Sequence, residues 1–288
     1  MRNRHGFTLI ELMIALVLLG IVGGVTYQML INTQRLSTAQ AERMNLQSAV
    51  RTGALVVPSE LREVGINAAG ASDLVHIATD SVTYRAMRGV GFTCSVTATQ
   101  IKLINSFALP FNSLRGVVAG GRDSLLIYVD NDPTTDGDDQ WITAPVNAVA
   151  ASTCGGTAAI AITTNDITGS ISSGTIDAVI VGGPVRTFEM MRLKLYTLDG
   201  QSWLGAQSLS AGESVQPALG PLTNNGFELA YFDVNGNATT NAANVRSMQI
   251  TLRGVTERPI ARGGNVGANA YVQDSLVARV MLRNAPRL

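Results

Sequence analysis

The chain opens on an apolar run, GFTLIELMIALVLLGIV from Gly6 to Val22, broken by a single charged residue, Glu11. Between Glu11 and Arg35 lie 23 residues with no charged side chain. As a helix they would cover roughly 34 Å, enough to cross a hydrocarbon core of about 30 Å. Downstream, Leu30, Leu36, Met44, Leu46, Val50, Ala54 and Leu55 form a loose helical stripe among Gln, Arg and Ser, continued by Leu61, Val64 and Ile66. Gly23-Gly24 and Pro58 weaken this helix, so a kink or local melting is expected near each. Beyond Gly70 the period changes to two. Strands are expected at 74–78, 81–87, 101–104, 124–129, 178–181, 186–198, 227–232, 245–253 and 275–282. Asp199-Gly200 and Asn235-Gly236 read as hairpin turns. The Gly/Ala/Thr/Ser/Asn-rich stretches 144–174 and 205–226 read as long surface loops or weak extra strands. The pattern predicts an α+β chain: a long N-terminal transmembrane and amphipathic helix packed on a β-rich globular domain, with an extended antiparallel sheet and long loops.

Arg2 and Arg4 precede the apolar run, whereas Arg35, Glu42 and Arg43 mix signs after it. The positive-inside rule then places the N-terminus in the cytoplasm and the C-terminal part outside. A cleaved secretory signal shares the basic start and the apolar run, but it needs a small-residue cleavage site followed by a break. Here the pattern continues from Gln28 to Val50 as a plausible amphipathic helix.

The string Gly6-Phe7-Thr8-Leu9-Ile10-Glu11-Leu12 resembles the processing site of type IV pilins and the related type II secretion pseudopilins. The resemblance implies cleavage between Gly6 and Phe7 by a prepilin peptidase and N-methyltransferase, N-methylation of Phe7, and an assembly role for Glu11. Leu61-Arg62-Glu63-Val64-Gly65 resembles the helix end of PilW-type minor pilins. The stretches 227–236, 245–252 and 278–284 resemble their late strands. On this reading residues 1–6 are the leader, 7–34 the transmembrane and assembly helix, 35–66 its amphipathic continuation, and 67–288 a periplasmic or extracellular domain.

Glu11 has a physical reason to matter whatever the family. A carboxylate in an apolar span is costly and needs a partner. After cleavage the Phe7 amine would be an equally uncomfortable cation one helical turn away. Two pairings neutralise both: the carboxylate of an incoming subunit with the amine of a docked one, which also sets axial register, or a bond within one chain. Thr8 reads as a helix-start hydroxyl.

Composition narrows the remainder. At 288 residues with 46% hydrophobic positions there is ample material for a core. Formal charge is zero, and removing Arg2 and Arg4 from the 21 basic residues leaves 19 against 21 acidic ones. A near-neutral chain with 5% aromatics gives no sequence support for nucleic acid as a partner. Cys94 and Cys154 both fall in the exported part, where one disulfide is permitted; the alternative is two separately buried thiols. Asp130, Asp132, Asp136, Asp138 and Asp139 surround Gly137 and offer oxygen ligands to calcium. The glycine falls at the eighth position of that run and no glutamate at the twelfth, so it is not an EF-hand, and a solvated acidic turn is the simpler account. His5 and His76 are the only histidines, and His76 in a strand reads as structural. With no GxSxG string and no phosphate-loop glycine spacing, an enzyme is not expected and no cofactor other than calcium is implied.

These observations point to a minor pilin with a structural, assembly-priming role at the tip or initiation complex of a type IV pilus. Its expected partners are other minor pilins, the major pilin and the inner-membrane assembly platform. It would begin as a single-pass inner-membrane precursor and end on the pilus at the cell surface. A type II secretion pseudopilin, or a pilus-mounted receptor for DNA or surfaces, are the other readings.

Overall fold

Thr8 starts the helix. Its side chain accepts a hydrogen bond from the Glu11 amide, and the Glu11 carboxylate accepts from the Thr8 amide, a reciprocal capping box that satisfies N-terminal donors. From there helix α1 (Leu9–Arg62) runs unbroken for 54 residues, roughly 81 Å at 1.5 Å per residue. It passes through Gly23-Gly24 and carries Pro58 within its last turns, so the expected local melting at these sites does not occur. The computed structural model describes residues 8–65, 72–113, 115–132, 134–135, 137–172, 174–261 and 269–282.

Strands follow in chain order: β1 (Leu74–Ile77), β2 (Ser81–Thr97), β3 (Gln100–Ile104), β4 (Asn112–Ser113), β5 (Asp123–Val129), β6 (Gln140–Pro145), β7 (Ala148–Cys154) and β8 (Thr157–Thr163). Then come β9 (Pro184–Leu198), β10 (Gln201–Ser208), β11 (Gln216–Phe232), β12 (Ser247–Val255), β13 (Ile260–Ala261), β14 (Asn269–Ala270) and β15 (Gln273–Met281). Among the described residues, thirteen strands make one open antiparallel sheet with the path β15-β12-β11-β10-β9-β2-β3-β8-β7, and β13-β14 pair separately. The molecule is α+β, one long apolar helix on a large antiparallel sheet.

The helix packs on β15, β12, β11 and β13. Leu46, Val50, Val57 and Leu61, spaced by four or seven, point into the sheet together with Gly53. Leu30, Leu36, Met44 and Leu55, expected in the same stripe, are exposed: Leu30 and Leu36 precede Ala39, the first buried residue of the helix, and Met44 and Leu55 project off the 46-50-53-57-61 face; Ile66 lies outside the described residues. The stripe meets Tyr84, Leu193, Leu204, Phe227, Leu229, Met248, Ile250 and Leu252 in the first core. Two glycines set the distance. A Cβ at Gly254 of β12 would lie 2.6 Å from both Leu46 and Val50, and one at Gly53 would lie 2.8 Å from Leu252. A second core joins β3, β8, β5 and β6 through Ile101, Leu103, Ile162, Leu125, Ile127 and Ile142.

Several expectations shift. The apolar stretch 178–181 is not a strand. Thr175 caps a single 3₁₀ turn, Ile176–Ala178, and Ala178 and Val179 enter the second core directly from it. The two stretches offered as loops or weak strands contain β7, β8 and much of β11. Asp199-Gly200 forms the β9-β10 hairpin with φ of 49° and 78°, the left-handed pair a two-residue turn requires. Asn235-Gly236 also turns, but the return is one bridge, Phe232 to Ala238, and β12 starts only at Ser247.

Candidate functional site

At the N-terminal end the helix presents a surface that is apolar apart from Glu11, Thr26 and Gln28. Every large apolar side chain from Leu9 to Met29 is more than half exposed. A helix apolar all round and unpacked suits a bilayer or a bundle of like helices. Among the described residues α1 is the one helix long and apolar enough to cross a membrane. Glu11 sits in its first turn, where Oε2 receives both the Thr8 amide and the Thr8 hydroxyl at 3.0 Å. These two bonds fix the rotamer of the carboxylate on the rim of the helix. Gly6 and Phe7 lie outside the described residues.

Cys94 of β2 and Cys154 at the end of β7 form a disulfide, with Cα atoms 6.2 Å apart. The strands β2, β3, β8 and β7 are consecutive in the sheet, so a flat arrangement would hold β2 and β7 roughly 14 Å apart. The bond therefore marks a sheet that curls back on itself at this end.

In the acidic turn, ligand oxygens of Asp130, Asp138 and Asp139 lie within 4.8 Å of one another. Asp132, also expected in this set, is used otherwise: its Oδ1 accepts from the Thr134 amide and hydroxyl at 3.0 and 2.7 Å. Asp138 accepts from the Asp132 amide at 2.8 Å and the Thr135 hydroxyl at 2.8 Å, and these bonds, the Thr135 hydroxyl first, hold its carboxyl below the usual range. Asp136 lies outside the described residues. His76 occupies an exposed position of β1.

A polar centre that no sequence pattern announced lies where the two cores meet. Glu189 of β9 is buried, and its Oε2 accepts from Arg88 Nε at 3.2 Å and Arg115 at 3.0 Å. Its Oε1 accepts from the Ser208 hydroxyl at 2.5 Å and ion-pairs with Arg122 at 2.9 Å. Arg115 also grips buried Asp123 through two bonds of 2.8 and 2.6 Å, and Arg88 reaches Glu60 on the helix at 3.6 Å. Burial alone would raise the Glu189 carboxyl, but the Ser208, Arg115 and Arg88 bonds and the Arg122 charge outweigh it and bring it down to about 2. These residues are scattered through the sequence, and only the pairing of β9 with β2 and β5 brings them together.

Residues 1–27 match the family described as the prokaryotic N-terminal methylation motif. No curated protein and no solved structure matches the chain. The match supports a type IV pilin-like or pseudopilin chain that is processed by a prepilin peptidase and assembles with pilus components. Together with the exposed apolar helix it fits a single-pass, membrane-anchored precursor.

Proposed function

We infer that this chain is a PilW-type minor pilin, a non-catalytic subunit of a type IV pilus that primes assembly at the tip or initiation complex. The observation that carries the reading is the division of α1. From Leu9 to Met29 it is apolar but for Glu11, Thr26 and Gln28, its large apolar side chains are exposed and most of it lies within the methylation motif, whereas from Ala39 on it is clamped on a large domain. Cleavage between Gly6 and Phe7 leaves Thr8 and Glu11 in place, so the capping box survives processing. The carboxylate, held on the rim of the helix, then meets the N-methylated Phe7 amine of a neighbouring subunit and neutralises two poorly solvated charges. The N-terminus starts in the cytoplasm and the sheet domain in the periplasm. No cofactor is needed for this role.

Glu11→Ala tests the pairing. The variant should be cleaved normally, as judged by loss of the leader in mass spectrometry, yet be depleted from sheared filaments. Normal incorporation would overturn the role of Glu11. A type II secretion pseudopilin uses the same helix, and the two are separated by deleting the gene: loss of surface pili supports the minor pilin, and intact pili with lost protein secretion the pseudopilin.

A further inference from the structure

The face of the sheet turned away from α1 carries a group of side chains that the assembly reading does not use. In β9, Leu193 and Leu195 turn into the first core, so alternation sends Arg192, Lys194 and Tyr196 to the outer face. Register then places Trp203 of β10 directly beside Tyr196 and Gln207 beside Arg192. The arrangement is built on glycine. The space over Gly220 of β11 is taken by the Trp203 ring, with a Cβ there only 2.6 Å from the indole, and the space over Gly205 is taken in part by the Tyr196 ring, 2.7 Å from such a Cβ. Both rings are thus held against the sheet and partly buried, and the Tyr196 hydroxyl is buried without a hydrogen-bond partner. Arg192 is oriented by one bond, from its Nε to the Thr83 hydroxyl at 3.1 Å. Among the described residues no carboxylate forms an ion pair with Arg192 or Lys194. Glu189, three residues before Arg192, falls by the same alternation on the other face and is held by Arg88, Arg115 and Arg122, while Asp80 and Asp199 stand in the turns before β2 and after β9.

Two uncompensated cations and two braced aromatic rings on one sheet face are the elements of a single-strand platform: phosphates meet the cations and unpaired bases stack on the rings. Lipid headgroups would use the charges alone, and a duplex hides its bases inside the stack. We propose that the outer face of β9-β10, through Arg192, Lys194, Tyr196 and Trp203, binds single-stranded DNA. Whole-chain composition, near neutral and poor in aromatics, conceals this surface because it averages over both faces of every strand.

The test uses the full chain in nonionic detergent and a short fluorescein-labelled oligothymidylate. Binding should weaken with added salt, and Arg192→Gln with Lys194→Gln should lower the slope of log affinity against log salt by about 1.4, near 0.7 for each lost phosphate contact. Trp203→Ala should weaken binding by about 5- to 150-fold, the range for losing one stacked base. Trp141 and Trp203 are the only tryptophans, so in Trp141→Phe protein the oligonucleotide should quench the remaining emission. That readout keeps the idea testable even where Trp203→Ala fails to fold. Absence of binding at low salt, no quench, or binding untouched by the Arg192/Lys194 pair overturns the proposal. So does equal binding of duplex DNA, or equal displacement by polyphosphate, which carries charge without bases. None of these readouts depends on pili, so the platform and the assembly reading fail separately.

Discussion

Glu189 shows how one buried carboxylate can organise a region far larger than itself. Three guanidinium groups and a hydroxyl converge on it, and one of those arginines continues to Glu60 on the helix. Because the folded carboxyl titrates near 2 and the ordinary value is 4.5, the unfolded chain takes up the proton first as pH falls. The contribution is therefore complete above about pH 4.5 and is lost as pH drops from there towards 2. Urea denaturation followed between neutral pH and about pH 3 should show falling stability, and Glu189→Gln should flatten that slope. At neutral pH the same substitution should cost about 3 kcal/mol, the low end for breaking a buried pair, since Arg115 and Arg122 keep partial access to water. A midpoint unchanged by Glu189→Gln would show that the arginines are satisfied elsewhere. Nothing in the sequence forecast this centre. Glu11, by contrast, was legible at once, because a charge inside an apolar run is visible without knowing the fold.

At the level of elements, the helix and most strands follow from periodicity, and the exceptions have physical causes. Hydrophobicity alone does not say which side chains are buried: Met44 and Leu55 are as apolar as Leu46 and Val50, yet only the latter pair faces the sheet. The small residues were harder to read. β7, with the sequence AVAASTC, has almost no large side chain, and its strand state comes from pairing with β8 and the bond from Cys154 to Cys94. That disulfide closes 60 residues, so the chain-entropy estimate for removing it is about 4 kcal/mol. The double variant Cys94→Ser/Cys154→Ser should show that loss in chemical denaturation, with β7-β8 amides exchanging first. The helix-sheet contact depends on the opposite kind of residue, a glycine that keeps side chains out. Gly254→Leu should destabilise by about 1–3 kcal/mol, because Val50 is β-branched and cannot turn aside. An unaltered melting temperature for Gly254→Leu would mean that the helix shifts freely on the sheet.

For the molecule as a whole, composition established that a core and a separate apolar anchor exist, but not how strands are ordered. The pairing of β9 with both β2 and β5 joins segments far apart in sequence and brings Arg88, Arg115, Arg122 and Glu189 together, and the order β2-β3-β8-β7 with its curl lets β2 and β7 approach. The methylation motif spans residues 1–27, so the domain's individuality lies in the sheet that no comparison reaches.

The unbroken helix has a mechanical side. Its buried side chains begin at Ala39, leaving residues 9–38 as a free rod of roughly 45 Å. A pull or push on the membrane end travels along a column of backbone hydrogen bonds and enters the domain sideways, as shear against β15, β12 and β11 over roughly four turns. Load is thus shared among Leu46, Val50, Val57 and Leu61 instead of being concentrated on the single covalent connection beyond Arg62, and the domain can be hauled as a unit without its sheet being unzipped strand by strand.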